Sequence, residues 1–173
     1  METIIKPGVW KIMRLFYGTK GARLHLRDIA RKAGLNENSA SRFLGQMEKR
    51  GILASEKDGN LKKYSLKKDS RVFLLLAMLD LEKFNKLPSI RKNAAKYFLD
   101  ALPEKPVMAL LFGSTAKGIF NKDSDMDLLL IVNRRIKTEE AENQAEAQTA
   151  VRISPVQITY SNFARELKLK EDY

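Results

Sequence analysis

Two aspartates, Asp125 and Asp127, stand two residues apart at the mouth of a wholly aliphatic run, Leu128-Leu129-Leu130-Ile131-Val132. The run is too short for most helices and is bounded by polar residues, which predicts a buried strand. Side chains alternate along a strand, so both carboxylates emerge on one side, several ångströms apart. Like charges that close repel each other. A divalent cation between them relieves the repulsion, and hard carboxylate oxygens suit Mg²⁺ or Mn²⁺, ions that also hold substrate phosphates. Upstream, Val107 to Phe112 predicts a second apolar strand that Gly113-Ser114 breaks, with a short helical turn from Thr115 to Gly118. A Gly-Ser turn after a strand can present backbone N–H groups and a hydroxyl to a triphosphate, and a side chain in place of the glycine would block the approach.

Composition removes several alternatives. The 173 residues contain no cysteine, which excludes a disulfide scaffold and any Cys-ligated zinc or iron–sulfur site. A single histidine, His25, rules out a His-based metal cluster within one chain and argues against a His-dependent triad. His25, between two leucines, reads as a structural strand residue, and Trp10 as core. The longest strongly apolar run is the eight residues Val72 to Leu79, against the roughly 20 needed to span a bilayer. The N-terminus has no secretory-type apolar stretch. A soluble, cytoplasmic protein with no membrane partner is the expectation.

The net charge of +11 is unevenly placed. Residues 1–87 carry 19 Lys/Arg against 9 Asp/Glu, and residues 88–173 carry 13 against 12. Such asymmetry points to two units, one of them facing a polyanion. In the basic half, Pro7 to Tyr17 predicts a helix with Val9, Ile12, Met13 and Phe16 at helical spacing. Leu24 to Leu26 is a short β-like stretch, and Arg27 to Ala33 a second helix stopped by Gly34. A third helix runs to Arg50 behind an Asn36 N-cap. Its apolar stripe is Ala40, Phe43, Leu44 and Met47, and its opposite face carries Asn38, Ser41, Arg42, Gly45, Gln46 and Lys49. A low, hydrogen-bonding face of that kind suits a helix entering the major groove. Ile52 to Lys57 and Leu61 to Leu66 then predict two strands joined through an Asp58-Gly59 hairpin turn, with Lys57, Lys62 and Lys63 near the tip.

Three helices followed by a basic hairpin resemble a winged helix-turn-helix of bacterial and archaeal transcription regulators. The stretch from Leu26 to Leu35, then Ser39 to Leu44, and Leu53 before the wing, carry that resemblance. It implies double-stranded DNA as partner, with Asn38, Ser39 and Arg42 approaching base edges and Lys49, Lys62 and Lys63 meeting phosphates. Winged helices also serve as protein-interaction modules. Arg71 to Lys86 predicts a helix apolar nearly all round, which calls for burial between domains or in a homodimer interface. Pro88 opens another helix to about Leu102, with Ile90, Ala94, Tyr97, Phe98 and Leu102 on one side. The expected division is residues 1–69, a linking helix over 70–87, and a second domain over 88–173.

In that second domain, Phe112-Gly113-Ser114-Thr115-Ala116-Lys117-Gly118 followed by Ser124-Asp125-Met126-Asp127-Leu128-Leu129 resembles the signature of the DNA polymerase β-like nucleotidyltransferases. In particular it looks like the small, minimal nucleotidyltransferases of prokaryotes. The resemblance implies that Gly113 and Ser114 bind a nucleoside triphosphate, with Ser124 near its phosphates and Lys117, often Arg in the family, contacting them or supporting the loop. It also implies that Asp125 and Asp127 are catalytic and hold Mg²⁺ or Mn²⁺. Active members carry a third carboxylate on a later strand. Thr138 to Val151 predicts a helix, and the next strand, about Pro155 to Tyr160, holds no Asp or Glu, with Gln157 in the matching place. An amide is a poor metal ligand and no base.

The expected fold is therefore α+β, a winged helix-turn-helix joined to a small α/β nucleotidyltransferase fold with a short mixed sheet. The expected reaction is metal-assisted transfer of a nucleoside monophosphate from NTP to a protein or nucleic-acid acceptor. The acceptor hydroxyl would attack the α-phosphorus in line and pyrophosphate would leave. The alternatives are a DNA-binding transcriptional regulator whose degenerate transferase domain senses nucleotide, and an interaction module with neither activity.

Overall fold

The computed structural model describes residues 5–19 and 21–171, with side chains as far as Leu167. The chain divides into two compact units, Met1–Glu82 and Lys83–Tyr173. The division falls inside one helix, Ser70–Asn85.

The first unit opens with α1 (Pro7–Tyr17), whose proline occupies the first turn, where its missing N–H goes unneeded. A two-residue strand β1 (Leu24–His25) leads into α2 (Leu26–Ala33), which Gly34 ends in the left-handed conformation. The expected Asn36 cap is present: its side-chain oxygen accepts from the Ser39 backbone N–H at 2.7 Å and starts α3 (Glu37–Lys49). Strands β2 (Leu53–Asp58) and β3 (Leu61–Leu66) form the wing, and the antiparallel sheet runs β1-β3-β2. Asp58 and Leu61 are partners in the ladder, so the two turn residues are Gly59-Asn60 rather than Asp58-Gly59. Gly59 takes φ +59° while Asn60 stays out of the positive region, the pattern of a hairpin with glycine first. Trp10, Ile12, Met13, Phe16, Ile29, Leu44, Met47 and Leu53 build the core of this unit.

Helix α4 (Ser70–Asn85) is buried on one side within this chain. Val72 and Leu79 are buried, and Leu75 and Leu76 pack on the first core, whereas Phe73, Leu74, Met78 and Leu81 remain exposed. The side facing the first unit is pinned by polar bonds. Glu82 accepts from the Trp10 indole N–H at 2.8 Å and from the Arg14 guanidinium at 2.5 Å, and the Tyr17 hydroxyl donates to Asp80.

The second unit continues with α5 (Ser89–Ala101), β4 (Met108–Leu111), α6 (Gly113–Lys117), β5 (Met126–Val132), α7 (Glu139–Thr149), β6 (Ile153–Thr159) and α8 (Tyr160–Glu171). The sheet order is β4-β5-β6, with β4 antiparallel and β6 parallel to the central strand, a mixed sheet as expected. Met126, Leu128, Leu130, Val132 and Ile153 face α5 and α7 and form one core with Ala94, Ala95, Phe98, Ala141 and Ala145. The alanines let the two helices lie close over the strands. On α5 the buried stripe is Arg91, Ala94, Ala95, Phe98 and Leu102, while the expected stripe members Ile90 and Tyr97 are exposed. Asp127 and Leu129 alternate onto the other face of the sheet. No helix among the described residues is long and apolar enough to cross a membrane.

Candidate functional site

Strand β4 and the start of β5 bring the Gly-Ser turn against the carboxylates. The ladder carries one bond past β4, Phe112 N–H to Asp127 C=O at 3.1 Å. Gly113 then takes φ +68°, and a Cβ built there would lie 1.9 Å from Asp127 Oδ2. The Asp127 carboxylate thus rests directly on the Gly113 backbone, and the chain can turn there only because the residue has no side chain. Ser114 and Thr115 follow in α6, and Ser114 is half-buried beside the turn.

Asp125 and Asp127 are both half-buried. The Ser154 hydroxyl donates to Asp125 Oδ2 at 3.3 Å. Among the described residues neither carboxylate has a Lys or Arg at ion-pair distance. Asp127 lies in β5 and Asp125 one residue before it, so two acids without an ion-pair partner among the described residues form a local acidic site. Ser124 is engaged differently from the expectation of a phosphate neighbour: its hydroxyl donates to Asn121 Oδ1 at 3.1 Å and accepts from the Asn121 N–H at 3.0 Å. Lys117 is exposed at the end of α6. A polar cleft of about 240 Å³ adjoins Asp125, lined also by Lys122, Asp123, Ser124, Glu146 and Arg152. A larger hollow of about 710 Å³, lined by Arg134, Arg135, Lys137, Glu104, Glu139 and Glu140 among others, lies beyond the opposite end of β5. It shares no residue with the carboxylate site, and its opposing charges are mixed evenly.

The parallel register corrects the place given to Gln157. Asp127 pairs with Ser154, and Gln157 with Leu130 three positions further along and on the opposite sheet face. Strand β6 starts at Ile153, two residues before the expected start at Pro155. Pro155 is tolerated inside it because β6 is an edge strand with one unpaired side. The residue beside the acid pair is therefore Ser154, a hydroxyl. Gln157 clips the chain after β5: its Oε1 accepts from the Ile136 N–H at 3.0 Å and its Nε2 donates to the Ile136 carbonyl at 2.9 Å.

Arg91 escaped the sequence reading. It is 3% exposed, and its guanidinium donates to Thr115 Oγ1 at 3.1 Å and to the Asn121 and Ser124 carbonyls, both at 2.8 Å. The signal was present: positions 91, 94, 95, 98 and 102 follow a helical repeat, which puts an arginine on the buried stripe.

In the first unit, Asn38, Ser41, Arg42, Gly45 and Lys49 are exposed on one side of α3, and Ser39 is half-buried with its N–H in the cap. Arg42 lies 5.2 Å from the centre of the Phe43 ring. The wing lysines are paired: Lys62 with Glu48 of α3 at 3.6 Å, Lys63 with Asp58 at 2.7 Å. Asp58 also meets His25 Nε2 at 3.2 Å, and Lys63, then His25, hold its carboxyl below the usual carboxylate range. The expected DNA-facing residues thus fall on α3 and on a wing tied to it through Glu48.

Comparison with known protein families matches two separate stretches of the chain. Residues 91–171 match the nucleotidyltransferase domain family, and residues 10–57 match the IclR helix-turn-helix domain. The chain is an IclR-like helix-turn-helix domain fused to a nucleotidyltransferase-like domain, as the sequence motifs indicated. Solved structures are similar at a distance. A protein of Archaeoglobus fulgidus shares 15% identity over 49% of this chain and 94% of its own, with a TM-score of 0.44. A DNA-binding protein of Sulfolobus solfataricus shares 23% over 50% of this chain and 84% of its own, with a TM-score of 0.35. The PcaV transcriptional regulator of Streptomyces coelicolor shares 15% over 58% of this chain and 77% of its own, with a TM-score of 0.36. No curated protein matches the chain in sequence.

Proposed function

We propose that the protein is a DNA-binding regulator whose nucleotidyltransferase-like unit binds a nucleoside triphosphate with Mg²⁺ or Mn²⁺ as a signal rather than as a substrate for rapid transfer. The observation that carries this reading is the Ser154 hydroxyl beside Asp127. A hydroxyl neither holds a second cation as a carboxylate does nor serves as a base at neutral pH. Gly113, Ser114, Asp125 and Asp127 are the residues assigned to the nucleotide, with Lys117 contributing positive charge from α6.

The donor set suits an ion that shares its shell with phosphate. Two carboxylates and a hydroxyl are hard oxygen ligands, and no group of three or more Asp, Glu, His or Cys side chains placed to hold an ion occurs among the described residues. Mg²⁺ in such a site takes its remaining ligands from phosphate oxygens and water. When bound, the ion neutralises triphosphate charge. The polyanion partner is double-stranded DNA, supported by the charge of residues 1–87 and by the exposed polar face of α3. There Asn38, Ser39 and Arg42 are assigned to base edges, and Lys49, Lys62 and Lys63 to phosphates.

A second reading, nucleoside monophosphate transfer to a protein or nucleic-acid hydroxyl, draws support from the packing of the Asp127 carboxylate against the Gly113 turn. One experiment separates the two. The protein is incubated with labelled ATP or GTP, Mn²⁺ and cell lysate, and calorimetry is run on the pure protein with the same nucleotides. Heat of binding without covalent label supports the regulator. A label abolished by Asp125→Ala with Asp127→Ala supports the transferase. The absence of both heat and label removes nucleotide from the account.

A further inference from the structure

A cation on the buried stripe of α5 needs a reason. Ala94, Ala95 and Phe98 on the same stripe pack as ordinary core, and a guanidinium there costs free energy unless its donors are satisfied. Arg91 is satisfied in an unusual way. Its three acceptors are a hydroxyl and two backbone carbonyls, and its face lies 4.4 Å from the centre of the Phe120 ring. None of these partners is a carboxylate, and Arg91 forms no ion pair among the described residues.

All the acceptors belong to the two segments that bear the candidate site. Thr115, 1% exposed, directly follows Gly113-Ser114. Its hydroxyl accepts from Arg91 and donates to the Asp125 carbonyl at 3.4 Å. Asn121 and Ser124 close the loop that delivers Asp125. The Asn121 side chain bridges the Asp123 N–H at 2.9 Å and the Ser124 hydroxyl, while one Arg91 nitrogen holds both flanking carbonyls. A planar fork can serve a hydroxyl, two carbonyls and a ring face together, whereas an ammonium has no such geometry. The charge is also left over. Among the described residues no carboxylate pairs with it.

We propose that Arg91 is the positioning residue of the site: it fixes the Gly113-Ser114 turn and the Asp125-bearing loop relative to each other. The geometric part stands on the bonds alone, and the consequence for ligand binding rests on the nucleotide reading above.

The test uses the full chain with Arg91→Lys, which keeps the charge and loses the fork, and Arg91→Met, which loses both. Without any nucleotide, amide hydrogen exchange over residues 119–127 should accelerate by about ten-fold or more in both variants while Leu128 to Val132 stay protected. Unchanged exchange over 119–127 in the folded variants overturns the proposal. With Mn²⁺–ATP as probe, both variants should bind about ten-fold more weakly than the parent, lysine giving no rescue. Equal affinity overturns the ligand-binding consequence. If the parent itself takes up no Mn²⁺–ATP, the nucleotide reading fails and the exchange measurement still decides the role of Arg91. Should both Arg91 variants unfold the second unit, Thr115→Val decides, since it removes the hydroxyl that accepts from Arg91 and donates to the Asp125 carbonyl. Faster exchange over residues 119–123, beyond Asp125 itself, upholds the proposal, and an unchanged rate there overturns it.

Discussion

At the residue scale, the tightest constraint in the second unit is the contact between Gly113 and Asp127. An L-residue at positive φ costs about 1–2 kcal/mol on its own, and a Cβ at 113 would in addition displace the Asp127 carboxylate from its seat. Gly113→Ala should therefore lower the melting temperature of the second unit and abolish nucleotide-induced stabilisation, while DNA affinity of the unliganded protein stays as in the parent; calorimetric melts with and without Mn²⁺–ATP read this directly. Arg42, exposed on α3, belongs to the same scale. Arg42→Ala should cost about 1–3 kcal/mol of DNA affinity and relax the preference at one base position, to be read by gel-shift titration against a set of single-base operator variants. The Tyr17 hydroxyl gives a pH prediction. Burial first, then its bond to Asp80, push its pKa up to about 12 from the ordinary tyrosine value of 10.0. The folded state holds this proton more tightly than the unfolded chain. The contribution is therefore complete below pH 10 and is lost as the pH rises through 12. Spectrophotometric titration of the tyrosines should contain a late step that Tyr17→Phe removes and Asp80→Asn moves to lower pH.

At the element scale, the strands that carry the acids were readable and the one beside them was misplaced. The Asp-x-Asp pair entering an aliphatic run defines β5 almost without choice, because the side chains must alternate and the run is too short for a buried helix. Strand β6 is different. Pro155 looks like a strand's first residue, since it lacks the N–H that a ladder uses, and that reading shifts the start by two and brings Gln157 beside the acids. The missing information was that β6 lies at the sheet edge, a property of the whole sheet. The clip from Gln157 to Ile136 follows from the true register, so Gln157→Leu should cost about 1–3 kcal/mol by stranding backbone groups. It should leave Mn²⁺–ATP affinity unaltered, as urea denaturation and calorimetry on one preparation can establish. Helices fared similarly. Ends marked by Pro7, Asn36, Gly34 and Gly51 were legible from local chemistry. The inward side of α4 and the role of Arg91 on α5 were not, because an apolar or charged residue does not say which neighbour it will meet.

At the scale of the whole molecule, the uneven charge follows the two domain families: a basic helix-turn-helix unit and a near-neutral unit with an acidic site. If nucleotide alters DNA affinity by some factor, DNA must alter nucleotide affinity by the same factor, since binding free energies are reciprocal. Titrating Mn²⁺–ATP into free and operator-bound protein should return that equality, and Asp125→Ala with Asp127→Ala should erase the effect in both directions while DNA binding persists. Lys62→Ala should weaken all duplexes evenly and flatten the dependence on salt by about one counterion. The chain also contains its own reporter. Trp10 is its single tryptophan, and the indole is bonded to Glu82, the last residue of the first unit. Indole emission therefore reports on a residue of the basic unit, and a colour shift on adding nucleotide to the parent that Asp125→Ala with Asp127→Ala abolishes would mean that occupancy of the acidic site is felt at Trp10.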